Sequence, residues 1–122
     1  MAIKGNKRTK LLATATKTAT ATYGPYVNKG RTLRITIKTT NPVSSPSVTP
    51  KIQAVDPTGG AVDVLTGTAI TGAAIQILEV GPDIAAAANA KAQAVAPSRF
   101  NIVLTHGNAN AIDVEMWMEE LS

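Results

Sequence analysis

The stretch Arg31–Thr40, RTLRITIKTT, sends Leu33, Ile35 and Ile37 one way and Arg34, Thr36 and Lys38 the other. Strict period-two alternation with β-branched residues marks a half-buried strand, because successive side chains leave opposite faces of the pleat. A strand with one oily face needs a second layer to cover it. The same pattern returns further along the chain. Ser47–Val55 places Val48, Ile52 and Ala54 on one face, and Ala61–Leu65 and Ala74–Val80 are further strands. Arg99–Thr105 turns Phe100, Ile102 and Leu104 inward, and Ala111–Met118 buries Ile112, Val114, Met116 and Met118. Turn-forming residues separate these runs: Tyr23-Gly24-Pro25-Tyr26, Asn28-Lys29-Gly30, Asn41–Pro46, Asp56–Gly60, Gly67, Gly81-Pro82 and His106–Asn110. Pro50 suits an edge strand or a bulge, and the last two strands are expected to pair as one hairpin. Seven to eight short strands predict an all-β fold, an antiparallel β-sandwich.

Two segments depart from that alternation. ATATKTATAT at 13–22 alternates alanine and threonine, which gives a strand with a small-residue face. Its weak hydrophobicity fixes register poorly, so it belongs at a sheet edge or a subunit contact. Residues 83–96 hold eight alanines. Propensity favours a helix there with Asp83 as N-cap. Asn89 and the thin apolar stripe reduce the expectation to a short helical turn in a long loop, closed by Pro97. The chain of 122 residues reads as one domain, 13–122, preceded by a flexible basic arm, 1–12. Alanine supplies much of the apolar content and only Tyr23, Tyr26, Phe100 and Trp117 are aromatic. A core this thin points to stability shared with neighbours.

Charge is segregated along the chain. Residues 1–55 carry +10 with no carboxylate before Asp56, and residues 56–122 carry −6, giving the net +4. A chain polarised in this way attracts an oppositely charged copy of itself or a large acidic surface. Nucleic acid is not the expected partner. Lys4, Lys7, Arg8, Lys10, Lys17, Lys29, Arg31, Arg34 and Lys38 suit phosphates, but only Tyr23 and Tyr26 stand near them as stacking platforms. The acidic ending, Glu115, Glu119 and Glu120, is instead expected to meet the basic strands of another copy. Trp117 alternates opposite Met116 and Met118, emerging on the outer face beside Glu115. There it is either covered by a neighbouring loop or an anchor at a subunit interface. The candidate partner-binding residues are therefore Lys4, Lys7, Arg8, Lys10, Lys17, Arg34, Trp117, Glu119 and Glu120.

Catalytic chemistry is not expected. The chain has no cysteine and one histidine, His106, set before a glycine in a turn. Asp113 and Glu115 are near it in sequence but alternate onto the exterior. No phosphate loop, nucleophile elbow or paired-carboxylate motif occurs, so no enzyme activity, metal or cofactor is expected. No apolar run reaches the length of a membrane helix, and Leu11–Ala15 is too short and threonine-rich for a signal-peptide core. The expectation is a soluble protein made in the cytoplasm, with no membrane partner.

Several short motifs occur in a suggestive order: Ser47-Val48-Thr49, Lys51-Ile52-Gln53, Asp56-Pro57, Val80-Gly81-Pro82, Ala86-Ala87-Ala88-Asn89, Pro97, and Thr105-His106-Gly107-Asn108-Ala109 followed by Ile112. In these, the chain resembles a group of small β-sandwich proteins encoded in the structural-gene regions of tailed bacteriophages, over roughly residues 30–115. The basic N-terminal segment and Glu119-Glu120 lie outside that pattern. The resemblance implies a virion accessory protein, a head decoration or cement protein first among them. It would bind the major capsid protein at the capsid surface as a symmetric oligomer, with a trimer favoured. A tail or neck component, or a virion protein that binds a host surface or glycan, is the alternative.

Overall fold

The computed structural model describes residues 7–121 as nine strands with no helix. They are β1 (Lys7–Lys17), β2 (Ala21–Val27), β3 (Thr32–Thr40), β4 (Val48–Val55), β5 (Ala61–Thr66), β6 (Ala74–Gly81), β7 (Lys91–Gln93), β8 (Arg99–His106) and β9 (Ile112–Leu121). A five-stranded sheet has the order β1-β9-β3-β6-β7, and a four-stranded sheet the order β2-β8-β4-β5. All pairings are antiparallel except β6 with β7. The fold is all-β and sandwich-like, with nine strands where the sequence suggests seven or eight.

The core lies where the inward faces meet. Leu33, Ile35 and Ile37 from β3 and Ile112, Val114 and Met116 from β9 are fully buried, as are Ile52 from β4 and Phe100 and Ile102 from β8. The phase read from RTLRITIKTT is therefore the observed one. Tyr26 meets Phe100 with ring centroids 5.5 Å apart, in the tilted arrangement that aromatic quadrupoles favour. The Asp56–Gly60 turn also forms as its sequence suggests. Asp56 Oδ1 accepts bonds from the backbone N–H groups of Thr58 and Gly60, and Gly59 takes the left-handed φ of 92°.

The final two strands do not form a hairpin. β8 pairs with β2 and β4, whereas β9 pairs with β1 and β3 in the other sheet. Each has one oily face, and placing them in opposite sheets brings those faces together across the core. The link from 107 to 111 makes the crossing, held by bonds from Asn108 and Asn110 to the Ser45 carbonyl.

Pro50 sits in an interior strand, not at an edge. β4 lies between β8 and β5. The N–H and C=O of Val48 bond Ile70, and the Pro50 carbonyl accepts from Gly67, all on the β5 side. In a strand a residue's two backbone groups share a side, so the missing donor of Pro50 faces the place where β5 has already ended at Thr66. The ladder to β8 loses nothing.

The alanine-rich segment forms no helix: it makes one hydrogen-bonded turn, in which the Ala90 and Lys91 N–H groups donate to the Ala87 carbonyl, and then supplies β7, parallel to β6. Asn89 adopts φ 60°, which halts right-handed helix growth, and its amide donates to the Thr66 carbonyl at 3.0 Å. Asp83 caps nothing and accepts from Arg31 Nε at 2.6 Å.

The Ala/Thr run splits into two strands. Its first half ends β1, an edge of the five-stranded sheet, and its second half opens β2, an edge of the four-stranded sheet. The Tyr23–Tyr26 turn signal appears as a register shift within β2. Residues 7–12, assigned by sequence to a flexible arm, are the start of β1 and pair with β9. Leu11 and Leu12 pack against the core there, with partners about 100 residues away that no local pattern can show. The rest of the expected arm, Lys4 included, lies outside the described residues.

Candidate interaction face of the five-stranded sheet

Because the phase of β3 sends Arg34, Thr36 and Lys38 outward, the register of its neighbours fixes what lies beside them. Arg34 is opposite Glu79 of β6 on one side and Glu119 of β9 on the other. Glu79 is opposite Lys91 of β7, and Glu119 is opposite Arg8 of β1. One rung therefore crosses the sheet as Lys91, Glu79, Arg34, Glu119, Arg8, alternating in sign. The ion-pair distances along it are 3.7, 3.0, 3.6 and 3.3 Å. Opposite charges on directly paired strand positions stabilise a sheet, and a network holds its geometry better than isolated surface pairs.

The next row is Ile77, Thr36, Trp117 and Lys10. Lys10 Nζ lies 5.1 Å from the centre of the Trp117 ring, a cation–π contact. Trp117 Nε1 donates to Glu115 Oε2 at 2.6 Å. Trp117 thus stands on the outer face beside Glu115, as its alternation implies, and its cover is a lysine of β1. Arg8, Thr36, Trp117 and Glu119 line a shallow depression of about 280 Å³. Ile75 and Ile77 are 64% and 45% exposed on the same face.

The third row sets Ile75, Lys38 and Glu115 side by side. Glu115 is held below the usual carboxylate range, first by the Trp117 and Thr14 hydrogen bonds and less by Lys10 and Lys38. Asp113 is lowered in the same way by hydrogen bonds from Thr16 and Asn41. Both carboxylates knit β9 to its surroundings.

The opposed electrostatic halves thus close on each other within one chain. Six of the seven ion pairs among the described residues join a base from the first 55 positions to an acid beyond them. Glu115 and Glu119, expected to reach another copy's basic strands, are occupied by β1 and β3 of their own chain. Of the residues proposed from sequence, Arg8, Lys10, Arg34, Trp117 and Glu119 come together on this face. Lys17 lies at the far end of β1, 5.2 Å from the Tyr23 ring.

Lys7 and Glu120 are elsewhere, at a cleft of about 280 Å³ between β1 and β2, with Thr9, Leu11, Tyr26, Val27, Lys29 and Met118. Glu120 Oε2 there accepts from the Lys29 backbone N–H at 2.6 Å. Sequence reasoning missed Ile75, Ile77, Glu79 and Lys91. In AIQILEV the two phases are about equally oily, so alternation alone cannot say which side faces out.

His106 ends β8 and not a turn. Neither ring nitrogen has a hydrogen-bond partner within the protein, and burial, then Lys17, holds its pKa below the ordinary value. Among the described residues no group of three His, Asp or Glu side chains converges as a metal site, and no helix is long and apolar enough to cross a membrane. A scan against protein-family models and searches of curated proteins and of solved structures find no match to this chain.

Proposed function

We propose that this protein works by adhesion as a virion structural component: a decoration protein that binds the major capsid lattice of a tailed bacteriophage through the outer face of its five-stranded sheet. The observation that carries the reading is the row Ile77, Thr36, Trp117, with Ile75 beside it, bordered by the charged rung. An apolar centre with a large amphipathic ring inside a polar rim is the usual anatomy of a protein-binding patch. The phage assignment itself rests on the resemblance of the turn motifs. In this role a homo-oligomer sits where capsid subunits meet and adds buried area at joints loaded by packaged DNA. Residues 1–6, with Lys4, add to the contact.

Cosedimentation with emptied phage capsids tests the face. Ile77→Asp and Trp117→Ala should each weaken attachment by about tenfold or more, with the circular dichroism of the fold retained. Undiminished attachment of both variants would reject the face. Copy number tests the location: hundreds per particle fit the head lattice, and a handful would move the protein to the neck or tail.

A further inference from the structure

We propose that the outer edge of β1, from Lys7 to Leu11, receives an extended segment of another protein in which apolar and acidic residues alternate. β1 is the last strand of its sheet, and among the described residues no strand pairs with its second side. An edge strand leaves every other residue's N–H and C=O without a ladder partner, which is the template for strand addition. Two features on the two faces of that edge specify the incoming side chains.

On the outer face the edge is cationic. Arg8 and Lys10 stand there, opposite Glu119 and Trp117, and β1 carries no acid. Arg8 has a side chain 70% exposed, and its carboxylate partner, Glu119, is shared with Arg34. The alternating rung ends on Arg8, so the next position outward calls for a carboxylate. On the inner face the edge borders an apolar opening with a charged rim. Leu11, Tyr26, Val27 and Met118 line the cleft with Thr9, beside Lys7, Lys29 and Glu120, and Val27 is 56% exposed. A strand laid beside β1 would project alternate side chains over this opening.

The other side of β1 shows the pattern already satisfied once. There β9 places Glu115, Trp117 and Glu119 outward and Val114, Met116 and Met118 inward against the same strand. A second copy of β1 is the wrong occupant, because antiparallel self-pairing sets lysines and arginines against each other. Register shifts after Lys10 and Leu12 confine regular pairing to the first residues of β1. Cations and bulges defend an edge against indiscriminate pairing. An acidic strand turns the first of those defences into attraction.

This inference rests on the reading of the protein as an assembly component, but not on the capsid as its partner. The probe is a capped peptide of about eight residues alternating valine and glutamate, long enough for an ordinary strand. It should bind the full chain and slow amide exchange within Lys7–Leu11, while a valine–lysine peptide should not. Two further peptides carry N-methyl groups on one or the other alternate set of residues. Only one edge of an added strand faces β1, so one set should abolish binding and the other spare it. The double variant Arg8→Glu with Lys10→Glu should lose about tenfold or more in affinity for the acidic peptide. Equal affinity for both N-methylated peptides, or unchanged exchange in β1, would overturn strand addition whether or not that variant folds. A chain that holds capsids yet ignores the peptide sinks this inference alone. One that takes the peptide yet ignores capsids sinks the proposed function alone.

Discussion

On the five-stranded sheet, the outer face sets five charges in one rung and an indole in the next. On the four-stranded sheet, the outward residues are mostly small or uncharged: Thr49 opposite Thr105, Gln53 opposite Asn101, Val103 between Thr22 and Lys51. Among the described residues a single ion pair, Lys51 with Asp63 at 3.3 Å, crosses that face. Both faces cover the same core, so burial alone cannot account for the contrast. Loop closure cannot account for it either: β2 pairs Ala21 with Leu104, nearly as far apart in the chain as β1 and β9, with no ion pair among the described residues, and closure cost grows only slowly with length. The contrast lies in register, which sets residues of opposite sign on one rung of β7, β6, β3, β9 and β1.

Three measurements bear on this contrast. The largest effect should come from what the faces share. Phe100→Ala should cost about 3–5 kcal/mol and Ile35→Ala about 2–5 kcal/mol, each in a single urea transition. Separate transitions for the two sheets would show that the core does not bind them into one unit. A smaller effect should separate the faces. Arg34 lies between two carboxylates whose side chains are 14% and 19% exposed. Arg34→Ala should therefore cost about 1 kcal/mol, and Lys51→Ala only a few tenths. Molar salt should shrink both, and equal costs would mean that the rung adds nothing as a network.

The smallest effect is spectroscopic. The folded-state pKa values of Asp113 and Glu115 are depressed. Their contribution to stability is present above the ordinary carboxylate range and is lost as pH falls through the folded values. The fluorescence of Trp117, the one tryptophan, should report the Glu115 titration below the ordinary glutamate range. Glu115→Gln should abolish that step. A transition at the ordinary carboxylate value would mean that the indole bond does not hold the carboxylate.

Much of the strand content was legible because inward and outward residues alternate cleanly in β3, β8 and β9. Alternation names a face but not a neighbour. Thus Arg99–Thr105 and Ala111–Met118 read as strands from their pattern, while their separation into different sheets is not visible in it. Pro50 carries a general edge preference, and only the end of β5 at Thr66 shows why an interior strand tolerates it. Local propensity misled at 83–96, where Asn89 spends its amide on the end of β5 in place of helix growth. The candidate face was half legible. Arg34 and Trp117 follow from phase, but their convergence with Arg8, Glu79 and Lys91 depends on strand order.

From residue order alone come the all-β class, the inward set of the three clearest strands, and the division of charge between the chain's two parts. These are short-range properties, carried by period and composition. Which strands touch, that the charged parts neutralise each other inside one molecule, and that β1 stands at an edge with a charge-rimmed apolar cleft beneath it belong to the folded arrangement. Those features arise from pairings across about a hundred residues, where the stabilising partner is absent from any local window.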